Sequence, residues 1–142
     1  MTRCPQAGAV SLDTQQSNPI DARMEEATGA LTSGRYLEAA LSCLETLKLA
    51  RAQHDFERMH RICMPLLEAQ RYLRQDALDS GVIQIIARST DISESPGPEC
   101  YLFAPNFVGA DALRFRNAAH DAGIAPFVLT REPTTSKNKW PI

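Results

Sequence analysis

Val82-Ile83-Gln84-Ile85-Ile86-Ala87 is the stretch that decides the fold. Its β-branched residues in a solid apolar run predict a strand buried on both faces. Before about Ser80 the apolar residues instead recur every three to four positions, which is the helical period. A helical N-terminal layer therefore joins a small α/β unit, and the expected class is α+β.

Beyond the first strand, Ser89 to Glu99 is a polar loop carrying Pro96, Gly97 and Pro98. A second strand is expected over Cys100 to Ala104. A helix follows over about Ala110 to Ala122, where Ala112, Phe115, Ala119 and Ala122 recur at three and four. Gly123 stops that helix, and Ala125 to Thr130 supplies a third strand. Strand, helix and strand in this order make a βαβ unit with a right-handed crossover. The sheet reads as incomplete. Only three strands are visible, and Pro126 protects only part of one edge. Trp140-Pro141-Ile142 closes the chain where an α/β layer would ordinarily add a strand. Residues 81–142 are thus expected to be a truncated α/β unit or one whose sheet a partner completes.

Working back from Ser80, residues 20–80 form a helical region, a hairpin or a three-helix layer. Residues 1–19, rich in Gln, Ser, Pro and Gly, read as a disordered leader. The first helix begins near Ile20 or Asp21, with Asp21 as its cap and Glu25 and Glu26 in its first turns. It ends around Ser33 and Gly34. Tyr36 to Arg51 carries Leu37, Ala40, Leu41, Leu44 and Leu47 on one stripe, widened by Ala39, Cys43 and Ala50. After the polar Gln53-His54-Asp55 break, Phe56, Met59, Cys63, Leu66, Leu73 and Ala77 mark the buried stripe of a third helix. Pro65 predicts a kink or two abutting helices, and Gly81 is the stop.

Gly34-Arg35-Tyr36-Leu37-Glu38-Ala39 resembles the inter-helix junction of a tetratricopeptide repeat: a small residue in the turn, an aromatic opening the second helix, and alanine three positions later. The resemblance covers about residues 21–51 and implies a helical hairpin more than a repeat array, since no second clean copy follows. The stretches 56–75 and 101–141 are similar to uncharacterised bacterial proteins in which the chain goes on. That likeness implies no activity.

Composition narrows the function classes. With 142 residues, 44% apolar and 23% charged, the chain reads as a globular protein with a sizeable core. Its formal charge of −2 and 6% aromatic content give no general attraction to nucleic acid. No run nears the roughly 18 apolar residues of a membrane span, and Met1 to Pro19 lacks the apolar middle of a secretion signal. The expectation is a cytoplasmic protein that engages neither membrane nor nucleic acid. Cys4, Cys43, Cys63 and Cys100 show no metal or disulfide spacing, and Cys43 and Cys63 are expected in the core.

Ligands of parallel α/β units gather outside the carboxyl ends of the strands. Those ends carry Pro105, Asn106 and Gly109, and then Arg131, Glu132, Thr134 and Thr135. The helix opening near Ala110 would favour an anion there, against which stands the Asp111 carboxylate. No nucleotide-binding glycine motif is present. His60 and Cys63 are three apart, yet two ligands are not a metal site. Arg51, Arg58, Arg61, Arg71 and Arg74, interleaved with Glu57, Glu68 and Asp76, read as a solvated face. No catalytic residue, metal or cofactor is assigned. The leading expectation is a noncatalytic interaction or scaffold protein with a protein partner or self-association. The rival is a small-ligand-binding or enzymatic α/β domain using Asn106, Gly109, Arg131 and Glu132.

Overall fold

The structure is a computed structural model and describes residues 18–131. Three helices, α1 (Pro19–Thr32), α2 (Tyr36–Ala52) and α3 (Phe56–Asp79), precede strand β1 (Ile83–Ile86). Then come a short 3-10 turn (Ser89–Asp91), β2 (Cys100–Phe103), α4 (Gly109–Asp121) and β3 (Phe127–Thr130). The α+β layout, helices first, is the expected one. The expected leader over residues 1–19 lies outside the described residues except for Asn18 and Pro19, as does the closing Trp140-Pro141-Ile142.

Turn chemistry sets the boundaries. Gly34, Gly81 and Gly123 follow α1, α3 and α4 with φ of 76°, 68° and 76°, a left-handed conformation that glycine adopts without steric cost. The break between α2 and α3 has no glycine, and His54 takes the left-handed position at φ 55°. Asn18, rather than the expected Asp21, caps α1: its Oδ1 accepts the Ile20 N–H at 2.9 Å. Asp55 caps α3 by accepting the Arg58 N–H at 3.0 Å. Helix α3 runs as one element of 24 residues with Pro65 inside it, not as two abutting helices.

The helical core is built on small residues. Ala27, Ala30, Ala39, Ala40, Cys43, Ala50, Ile62 and Ala69 are buried there, with Ile20 and Leu66. Helix α2 packs against both α1 and α3, so alanines occupy its lines of closest approach while Leu41 and Leu44 stand exposed on its flank. The expected leucine stripe is thus displaced toward Ala39, Cys43, Thr46 and Ala50. Buried Thr46 donates to the Ser42 carbonyl at 2.7 Å, so its hydroxyl is satisfied.

The buried face of α3 also differs from expectation. Ile62, Leu66, Ala69 and Ala77 face inward, whereas Phe56 and Cys63 are exposed. One residue turns a helix by about 100°, and Ile62 rather than Cys63 meets the core. Phe56 at 72%, Met64 at 68% and Leu67 at 59% exposure lie on the opposite side.

The three strands are parallel in the order β1-β2-β3, and β1 is therefore an edge. Ile85, Leu102 and Leu129 align across the sheet, as do Ile86, Phe103 and Thr130 one residue further on. Alternate residues point to opposite faces. The face of Ile86, Tyr101, Phe103 and Val128 packs under Ala112 and Phe115 of α4, with the Phe115 ring 4.8 Å from Tyr101 and 5.4 Å from Phe103. This second core does not merge with the first. Where the units meet, Cys100 Sγ reaches the Ala77 carbonyl at the end of α3, at 3.5 Å.

Candidate functional site

Arrangement of the carboxyl ends of the strands follows from local hydrogen bonding. Asn106 Nδ2 donates to the Ala87 carbonyl at 3.3 Å, tying the loop after β2 to the end of β1. Asp111 accepts the Val108 N–H at 3.0 Å and pairs with Arg114, so the amino end of α4 receives a carboxylate of its own chain. These bonds hold the Asp111 carboxyl below its ordinary range, the Val108 N–H contributing most. Gly109 lines a cavity of about 240 Å³ with Thr130 and Arg116. Asn106 and Arg131 are exposed and do not line it, and the Arg131 backbone N–H donates to Phe103. Glu132, Thr134 and Thr135 lie outside the described residues. Of the expected ligand residues, the three that are described, Asn106, Gly109 and Arg131, are therefore not gathered in one enclosed site.

Thiol and histidine positions settle differently from expectation in one case. Cys43 is buried, and burial pushes its thiol above the ordinary value. Cys63 is exposed beside His60, its Sγ directed at the Met59 carbonyl at 3.2 Å. Among the described residues no group of three or more His, Cys, Asp or Glu side chains is placed to hold a metal ion.

The arginine row of α3 is largely internal bonding. Arg58 binds Asp21 and Asp55, Arg61 lies 3.8 Å from Asp21, and Arg71 pairs with Glu68 while its guanidinium sits 4.4 Å from the Tyr72 ring centre. Tyr72 in turn stacks on Tyr36 of α2 at 4.6 Å.

Two surfaces remain; the sequence raised incomplete cover of the sheet without saying which face, and it did not define the groove. The first is the sheet face opposite α4. Helix α3 meets it at Cys100 and along β3, but Ile83 is 69%, Ile85 64% and Leu129 49% exposed. The strand expected to be buried on both faces is buried on one. A third helix layer or strand would be needed to cover the other, and among the described residues none does. The second surface is a groove between the helical layer and the α/β unit, with a volume of about 910 Å³. Leu37, Leu41 and Leu73 form its helical wall and Ile124 and Ala125 the facing one. His120 borders it, its pKa lowered by burial and by the nearby Arg116 charge.

Among the described residues no helix is long and apolar enough to cross a membrane. Compared with known proteins, the chain matches no family model, no curated protein and no solved structure.

Proposed function

We propose that this is a noncatalytic interaction or scaffold protein that associates with a second copy of itself through its open sheet face. The observation that carries the reading is the exposure of Ile83, Ile85 and Leu129 on one face of an all-parallel sheet. Parallel sheets are ordinarily covered on both faces, because their strands are apolar on both. Leaving branched apolar side chains wet forgoes about 25 cal/mol for each Å² that a partner could cover.

The character of the patch favours a second copy. In a two-fold contact a surface meets its own image, so any central charge would face a like charge. Ile83, Ile85, Leu102 and Leu129 carry none. The adjoining β1 edge carries no lysine or proline of the kind that keeps edge strands apart. The hairpin of α1 and α2, which resembles a tetratricopeptide unit, supports an interaction role as well.

Sedimentation equilibrium over a wide concentration range tests this. The wild-type chain is expected to associate as concentration rises, and Ile85→Lys to remain monomeric with unchanged helical circular dichroism. A wild-type chain that stays monomeric throughout contradicts the reading.

A ligand-binding α/β domain is the second reading, and the cavity beside Gly109 and Thr130 is what favours it. A small molecule that binds only the folded state would raise the melting temperature progressively as its concentration rises above its dissociation constant.

A further inference from the structure

The groove between the two units has a chemistry separate from that of the sheet face. Its walls are apolar, through Leu37, Leu41 and Leu73 of the helical layer and Ile124 of the α/β unit. Its rim is acidic. Glu38 is bonded to Arg35 at 2.6 and 2.7 Å, so that pair is neutral as a unit. Glu26, Glu45 and Asp76 also line the groove, and none has a side-chain hydrogen bond or ion pair among the described residues. Against these three carboxylates stands Arg23, the other guanidinium on the groove. Two negative charges are left over around an apolar floor.

We propose that this groove binds a polypeptide segment in which lysine or arginine residues flank an apolar anchor. The anchor would lie against Leu37, Leu41 and Leu73, which α2 and α3 hold in register through the Tyr36–Tyr72 stack. The flanking cations would meet Glu26, Glu45 and Asp76. A volume of about 910 Å³ falls within the range of ligand sites and accommodates several side chains. The rim charges set which segment is accepted, because a like-charged segment is repelled and an oppositely charged one is drawn in. Acidic peptides and nucleic acid face the same repulsion.

The probe is a fluorescent twelve-residue peptide with leucine anchors between lysines, compared with the same peptide carrying glutamate for lysine. Binding is followed by polarisation at low salt, with the protein dilute. The lysine peptide is expected to bind about tenfold tighter than the glutamate peptide, and less tightly as salt rises. Glu45→Lys with Asp76→Lys is expected to remove that preference, whereas Glu25→Lys, exposed on α1 and away from the groove, leaves it intact. Equal binding of both peptides, no binding of the lysine peptide, or equal loss in Glu25→Lys overturns the proposal. Ile85→Lys lies on the other surface and is expected to bind the lysine peptide normally, so failure of self-association and failure of groove binding are read separately.

Discussion

Arg58 holds Asp21 across 37 residues of chain, its Nε and Nη2 donating to the two carboxylate oxygens at 2.9 and 2.8 Å. Its remaining Nη1 donates to Asp55 Oδ2 at 2.7 Å, while Asp55 Oδ1 caps the helix that carries Arg58. One guanidinium thus fixes the start of α3 and docks it on the start of α1. The planar fork suits this task, and a lysine could not satisfy both carboxylates in the same way.

Acid should loosen that clamp. Hydrogen bonding from Arg58 lowers the pKa of both Asp21 and Asp55. Carboxyls depressed in the folded state contribute stability above their unfolded values, near pH 4, and lose it as pH falls through the lowered values. Denaturant melts at pH 7 and below pH 4 are expected to show this loss in the wild type and less of it in Asp21→Asn. Equal acid sensitivity in the two would exclude the clamp as a source.

His54 gives a prediction of opposite sign. A side chain with φ of 55° crowds the following carbonyl, which glycine avoids. His54 is exposed, so little packing is lost on replacement. His54→Gly should raise unfolding free energy by up to about 1 kcal/mol, after the larger chain entropy of unfolded glycine is set against the relief. A decrease in stability would show that the histidine ring contributes more than its exposure implies.

The separate cores predict separable protection. Phe103 is fully buried and contacts Phe107 and Phe115, so Phe103→Ala should cost about 3–5 kcal/mol. Hydrogen exchange should show that cost in β1, β2, β3 and α4 more than in α1 and α2. Uniform loss across every element would mean that the two cores unfold as one.

Thiol accessibility distinguishes the two faces of α3 and α2. In a Cys4→Ser background, Cys63 should label quickly, while buried Cys43 and Cys100 label only on opening. Slow labelling at Cys63 would place that side of α3 under cover.

Period and punctuation made the fold legible. The shift from helical spacing to the Val82–Ala87 run placed the boundary between layers, and Gly34, Gly81 and Gly123 marked three turns that do adopt left-handed backbone. What pattern could not settle was which side of an apolar element faces inward. Helix α3 carries Phe56, Cys63, Met64 and Leu67 on one side and Ile62, Leu66 and Ala69 on the other, so both sides read as core. The run in β1 is apolar on both faces, so it pointed to an incompletely covered sheet without showing which face is open. Asp21 and Arg58 were visible only as local charges, because their pairing depends on how α1 and α3 cross. The groove rim joins Glu26, Glu45 and Asp76 from three helices, and no local spacing links them.

The most direct measurement for the central claim is isotope-filtered NMR on an equal mixture of methyl-labelled and unlabelled chains. At concentrations where sedimentation detects association, the Ile83, Ile85 and Leu129 methyls of labelled chains should show contacts to protons of unlabelled ones, while the Ile62 and Ile86 methyls, enclosed in their own cores, should show none. Association without any intermolecular contact at Ile83, Ile85 or Leu129 would contradict the assignment of the open sheet face as the interface.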